Sequence, residues 1–146
     1  ENRCIERFDH RCGVIGASIG RRNLPSYLLL LAASAVCSTL TSASLLSHLV
    51  SLDAARARSS LFLRLRCVVT RNPLECVLLS CCSLAAAVIG VLLSYQAFLV
   101  TTNQTTREHV SGQWRDGFNP FDRGALSNWR EVMACARVEY HEHPEF

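Results

Sequence analysis

Lysine is missing altogether: the 15 basic residues among the 146 are all arginine. No chemistry requires every basic position to be arginine, so the absence is read as codon bias and not as function. Charge of either sign is scarce. Asp, Glu, Lys and Arg make up 18% of the chain, against roughly 25% in an ordinary soluble domain. A disordered chain is polar and charge-rich, so that class is excluded. The formal net charge of +3 is too small for a nucleic-acid binder, and no nucleic-acid partner is expected. The eight cysteines are about 5% of the residues, below the level of a disulfide scaffold. No two of them have the C-x2-C spacing of a zinc knuckle. The first residue is Glu1 and the sole methionine is Met133. The chain is therefore expected to be a fragment or a processed product with sequence upstream.

What the chain does have is two long uncharged runs, residues 24–52 and 76–106. Their apolar cores, 27–50 and 77–100, are 24 residues each. Crossing a bilayer takes about 20 apolar residues. At 1.5 Å per residue, such a core reaches roughly 36 Å as a helix. Both runs mix Ser, Ala, Thr and Gly among the Leu, which lets membrane helices pack closely and lets hydroxyls bond across the pair. A buried helix of a soluble protein keeps a polar face, and neither run has one. The first run is the weaker candidate, because it is rich in Ser and Thr and carries His48 near its end. It is not a signal peptide, being neither N-terminal nor of h-region length. Two spans put both termini on one side. Five Arg precede the first span and five lie between the spans, so the positive-inside rule leaves the orientation open.

Between the spans, residues 53–72 carry five Arg, with Leu61, Leu63 and Leu65 alternating with Phe62, Arg64 and Arg66. Two readings stand: a segment lying on the membrane with its Arg reaching headgroups, or a solvated basic loop. Asn72 and Pro73 end it, since Pro suits the first turn of the next helix.

The chemistry sits before the first span. Asp9, His10 and Cys12 put an acid, an imidazole and a thiol within four residues. Thiolate is the reactive form of Cys. An imidazole can take the thiol proton, and a carboxylate can orient that imidazole. By spacing alone the pattern is short enough to be a surface loop with incidental charges.

This segment resembles the Cys-rich region of the DHHC-type protein S-acyltransferases, the palmitoyltransferases. Cys4, Arg7, Phe8, Asp9, His10, Cys12, Ile19, Gly20, Arg22 and Asn23 fall in that family's register. Thr105, Thr106, Arg107 and Glu108 resemble the TTxE motif, in a run similar to plant-type members. Asn119, Pro120, Phe121, Asp122, Arg123 and Gly124, followed by Asn128 and Trp129, resemble the shared C-terminal motif. The resemblance implies an all-α integral membrane protein with two transmembrane helices. It divides into a partial Cys-rich domain (1–25), a helix (26–52), a basic connecting loop (53–73), a second helix (74–100) and a cytosolic tail (101–146). It implies acyl transfer from a long-chain acyl-CoA such as palmitoyl-CoA to a Cys of a membrane-associated protein substrate. Cys12 is then the nucleophile, His10 its base and Asp9 the orienting acid. Thr105, Thr106, Glu108 and Asn119 support the site. The protein would be multi-pass, in an endomembrane or the plasma membrane, with the bilayer housing the acyl chain.

The departures are specific. Arg11 stands where the family has a second His, and Ser18 where it has a Cys; both are zinc ligands there. Val14 and Gly13 stand where a Trp and a Pro are expected. Cys4 alone remains as a zinc ligand, and then only with upstream sequence. Arg has no lone pair to give and a Ser hydroxyl is a poor ligand. The alternative function is a catalytically weak or inactive DHHC-like membrane scaffold or binding protein; a plain two-span anchor is argued against by three ordered motifs.

Of the other residues, Cys37, Cys76, Cys81 and Cys82 are read as small hydrophobes in the spans. Cys67 is read as either acylated or simply exposed; Cys135 lies in the tail, far from the span for a palmitoylated juxtamembrane Cys. His141 and His143 are read as solvated. Ser127 or Asn128 is expected to cap a short helix over residues 129–137, with Glu131 three residues after Asn128. Asn103 opens a glycosylation sequon that the cytosolic orientation would leave unmodified.

Overall fold

The computed structural model describes residues 4–54, 60–115 and 117–134. In chain order they form β1 (His10–Cys12), β2 (Ala17–Ile19), α1 (Leu24–Ala54), α2 (Leu61–Arg71), α3 (Pro73–Thr101), α4 (Thr106–Ser111) and α5 (Ala125–Ala134). The chain divides into two compact units, one of Leu31–Leu92 and the other of Glu1–Leu30 with Leu93–Phe146.

The Leu31–Leu92 unit holds most of both long helices. Leu24–Leu52 and Pro73–Thr101 are 29 residues each, long and apolar enough to cross a membrane. At 1.5 Å per residue each extends about 43 Å. A core helix of a soluble protein would bury its apolar side chains. Here Leu40, Leu46, Leu84, Val88 and Val91 are exposed. The hydroxyls of Ser38, Thr39, Thr41, Ser42 and Ser80 do not bond across to a second helix. Each donates to the carbonyl four residues back on its own helix, at 2.8 Å. That satisfies the hydroxyl where no water is at hand. His48 is paired as well: its Nδ1 lies 3.0 Å from Glu75 Oε2 in the first turn of α3.

The stretch read as a connecting loop contains the 11-residue helix α2. The alternation at Leu61, Leu63 and Leu65 has the period of a strand, but among the described residues there is no second strand to pair with it. Leu and Arg are good helix formers, and no Gly or Pro interrupts them before Pro73. Asn72 closes α2 by donating its backbone N–H to Val68 O, and Pro73 opens α3 as expected.

In the other unit the segment before α1 forms a two-stranded antiparallel hairpin, the sheet element in an otherwise helical set of described residues. Its register pairs His10 with Ile19, Arg11 with Ser18 and Cys12 with Ala17. Gly16 takes φ +71° and donates to Cys12 O at 2.9 Å, a turn that L side chains resist. Asn23 then brackets the exit: Gly20 N–H donates to its Oδ1 and its Nδ2 donates to Ser18 O. A Cβ at Gly20 would sit 2.6 Å from Ile5 Cγ2, so the position needs glycine. Ile19, Leu24, Tyr27, Leu28, Leu99, Val100 and Val132 are the buried apolar side chains around which this unit packs.

The last carbonyls of a helix lack intrahelical partners. At the end of α3 the tail supplies them. Asn119 Nδ2 donates to Thr102 O at 2.8 Å and to Asn103 O at 3.2 Å. Asn128 Nδ2 donates to Thr101 O at 2.9 Å, and Trp129 Nε1 to Thr101 Oγ1 at 3.1 Å. Asn128 is therefore not a cap of α5. That helix starts at Ala125, after Gly124 at φ +87°, and Asn128 lies inside it at 0% exposure. Its side chain is turned back onto α3.

Candidate active site

Strand β1 sets the first relation. Residues two apart in a strand share a face, so His10 and Cys12 point to one side and Arg11 to the other. The second relation comes from the turn after α3. Thr105 and Glu108 form a capping box at the start of α4. Glu108 N donates to Thr105 Oγ1 at 3.2 Å, and Thr105 N donates to Glu108 Oε2 at 2.8 Å. The box fixes Thr106 as the first residue of α4, with its backbone N–H free of any helical partner.

That N–H meets Asp9. Asp9 is 3% exposed, and an ionised carboxylate at such depth needs donors. Thr106 N donates to Asp9 Oδ1 at 2.6 Å. Thr106 Oγ1 donates to Asp9 Oδ2 at 2.8 Å. His10 Nδ1 lies 2.6 Å from the same Oδ2. A carboxylate only accepts, so Nδ1 carries the hydrogen, and in the neutral imidazole Nε2 keeps its lone pair. The imidazole is packed edge-on against Tyr27, with ring centroids 5.3 Å apart. Behind Thr106 stands Gln96, whose Nε2 lies 3.2 Å from Thr106 Oγ1. Since that hydroxyl gives its one hydrogen to Asp9, it accepts from Gln96.

The sequence-derived candidates separate on this geometry. Asp9 contacts both His10 and Thr106 through the same Oδ2. Cys12 shares the strand face of His10 and is a half-buried free thiol, but no hydrogen bond joins the two side chains. Thr105 and Glu108 hold the turn and do not touch Asp9. Asn119 holds the end of α3. Gln96, Tyr27 and Asn103 were not singled out for the site from sequence. Gln96 carried a signal, being the one amide side chain in residues 77–100. Asn103 is 5% exposed at φ +50°. It receives the Arg7 guanidinium and donates to Phe121 O at 2.5 Å, so its sequon nitrogen is engaged inside the fold. In the tail, hydrogen bonds from the Asn128 side chain and the Gly124 backbone hold the Asp122 carboxyl below its usual range, against a smaller opposing effect of burial.

No group of three metal-ligating side chains exists among the described residues. Arg11 and Ser18 are direct partners across the hairpin, and neither offers a zinc ligand. Cys4 is exposed. The described residues do not fit the zinc site that the resemblance implies. A cleft of about 900 Å³ lies beside them, lined in part by Cys4, Glu6, Ser18 and Arg22; His10 and Cys12 are not in its walls. Cys135, His141 and His143 lie outside the described residues. Cys37 and Cys81 are exposed, and Cys67, Cys76 and Cys82 partly so; all five are free.

A family model described as DHHC palmitoyltransferase matches residues 1–113. Palmitoyltransferase ZDHHC8 of Canis lupus familiaris is 34% identical over 134 residues, which cover 89% of this chain and 16% of that protein. Protein S-acyltransferase 8 of Arabidopsis thaliana is 29% identical, over 94% of this chain and 33% of that protein. Palmitoyltransferase ZDHHC14 of Homo sapiens is 26% identical, over 92% and 27%. The chain thus spans a third or less of the length of these relatives. The matched residues carry the hairpin, both long helices and the turn that meets Asp9, and the chain belongs to the DHHC palmitoyltransferase family.

Proposed function

We propose that this chain carries the reacting centre of a protein S-acyltransferase, a palmitoyltransferase that works through an acyl-Cys12 intermediate. The observation that supports it is Asp9, buried and held by two donors from Thr106 while it holds His10 Nδ1. That arrangement leaves His10 Nε2 as a base on the strand face of Cys12.

In the first step His10 Nε2 takes the Cys12 proton and Sγ attacks the thioester carbonyl of a long-chain acyl-CoA. The carbon–sulfur bond to CoA breaks, and the CoA thiolate leaves with the proton from His10. In the second step a cysteine thiol of a membrane-associated protein attacks acyl-Cys12. His10 takes its proton and returns it to Cys12 Sγ as that thiolate leaves. The imidazolium formed in each step is stabilised by Asp9. The two apolar helices fit a multi-pass protein of an endomembrane or the plasma membrane, with both termini cytosolic and the acyl chain in the bilayer. No step is routed through zinc.

A second reading, a catalytically weak or inactive scaffold, is favoured by the Arg11 and Ser18 pair in the hairpin. The two readings separate on incubation of the full-length protein with labelled palmitoyl-CoA, followed by hydroxylamine. A hydroxylamine-labile label lost in Cys12→Ser supports the transferase. Equal labelling of Cys12→Ser places the thioester on another cysteine, and no labelling of either form leaves the scaffold.

A further inference from the structure

Two non-glycine residues among those described have positive φ: Arg7 at 47° and Asn103 at 50°. This region crowds Cβ against the backbone; Asn tolerates it through its short polar side chain, and Arg has no such relief. The two lie 96 positions apart and are bonded to each other, the Arg7 guanidinium donating to Asn103 Oδ1. Asn103 Nδ2 is anchored on Phe121 O at 2.5 Å. Arg7 Nη1 also stands 4.0 Å from Glu131 Oε1 on α5. A small cavity of about 220 Å³ lies beside these groups, lined by Arg7, Asn103, Glu108, Phe121, Arg123 and Glu131.

The placement matters. Arg7 is two residues before Asp9, and Asn103 is three before Thr106. Two hydrogen-bonded links therefore join the same two segments: Arg7 to Asn103, and Asp9 to Thr106. Strained backbone persists only where its surroundings over-determine it, and it concentrates where geometry serves function. Here both strained residues turn their side chains into one contact just ahead of the reacting groups.

We propose that Arg7 is a positioning residue for the acyl transfer, resting on the function proposed above. By clasping Asn103 it sets the spacing at which Thr106 meets Asp9. Through Glu131 it makes that spacing depend on helix α5. Loss of the clasp lets the turn drift from Asp9, so His10 is held less well, while acyl-CoA binding is untouched.

The test uses the full-length protein in detergent with Arg7→Ala, Arg7→Lys, Asn103→Gly and the double variant Arg7→Ala/Asn103→Gly. Arg107→Ala, which removes an exposed guanidinium on α4, is the control. Two quantities are read: the maximal rate and half-saturating palmitoyl-CoA concentration of Cys12 acylation, and hydrogen exchange over residues 103–111. Arg7→Ala and Asn103→Gly are each expected to lower the maximal rate about tenfold to a hundredfold, the range for a misplacement near 1 Å. The half-saturating concentration stays within about twofold, exchange speeds about tenfold, and the double variant is no worse than either single. Arg7→Lys keeps a donor for Asn103 and recovers most of the rate; Arg107→Ala changes neither quantity. Asn103→Gly eases the backbone while removing the clasp, so it decides the matter if Arg7→Ala does not fold. A raised half-saturating concentration at constant rate, unchanged exchange, or losses that multiply in the double variant overturn the proposal. If the unaltered protein never labels at Cys12, the acyl-transfer reading fails by itself, and the exchange data still report whether the clasp orders the turn.

Discussion

Replacing Thr106 by Val removes a hydroxyl at nearly constant shape, and the structure lets its cost be worked out. Asp9 loses one of three partners, the hydroxyl at 2.8 Å, and keeps the Thr106 backbone N–H and His10. Gln96, 4% exposed, loses the acceptor of its Nε2; its Oε1 already has no hydrogen-bond partner. A hydrogen bond to a charged group contributes about 1.5–3 kcal/mol, and an orphaned buried donor costs about 1–3 kcal/mol. The two overlap, so about 3 kcal/mol in total is a fair expectation. Part falls on stability and part on the transition state. The rate of acyl-Cys12 formation is then expected to drop between about tenfold and a hundredfold. Thr105→Val makes the contrast. It removes the cap of α4, worth about 1 kcal/mol, and leaves both Thr106 bonds to Asp9 in place. Its rate loss should stay within about threefold, and Thr106→Ser should recover most of the activity. Single-turnover acylation with labelled palmitoyl-CoA measures all three. A Thr106→Val rate within twofold of the unaltered protein, or a larger loss for Thr105→Val, would refute the assignment of Thr106 as the residue that holds Asp9.

Three further outcomes are expected. In sealed microsomes, protease added outside should remove the tail after Val100; a protected tail sinks the proposed topology. Arg11→His together with Ser18→Cys, in the full-length protein, should raise both zinc content and acyl transfer. The hairpin sets these two positions opposite each other, and metal analysis that finds no gain would show that other residues have taken the ligand positions. The Asp122 carboxyl is held below its usual range, so its contribution to stability is present above the unfolded pKa of about 3.9. It is lost as pH falls through the lower folded value. The protection of α5 against hydrogen exchange, taken relative to the intrinsic rate at each pH, should therefore fall on acidification below about pH 4, and Asp122→Asn should abolish that pH dependence.

The long helices were legible because their signal is an absence: no charge interrupts 24–52 or 76–106, and a run of that length needs no tertiary information to be recognised. The hairpin was not. Its strands are three residues each, too short for any alternation to register, and its register depends on Gly16 in the left-handed region and on the two bonds of Asn23. Helix α2 was hidden for the opposite reason, since Leu61, Leu63 and Leu65 advertised a period of two where the described residues hold no partner strand. Thr105 and Thr106 were grouped together from sequence. Only the capping box separates them, by spending the first on α4 and leaving the second for Asp9. Asn128 carried a plausible local role and took a distant one, because the carbonyl of Thr101 had no other donor within its helix.

The Arg11 and Ser18 positions gain meaning from the pairing that sequence could not supply. Read along the chain they are two departures from the family pattern, seven residues apart. In the fold they are one cross-strand pair, on the strand face opposite His10 and Cys12. A metal bound there would have stapled the two strands. The hairpin is held by its antiparallel ladder, by Asp9 N–H on Ile19 O and Gly16 N–H on Cys12 O, each at 2.9 Å, and by the bracket from Asn23. The two departures thus act as a single change to the back of the hairpin. The contacts on its front run between Asp9, His10 and Thr106. Loss of the staple should loosen Cys12 through the strand that carries it, while Asp9 and His10 stay anchored from α4. That separates a weakly positioned nucleophile from an intact base, and it is why self-acylation and transfer to a protein substrate should respond differently to the two restored ligands.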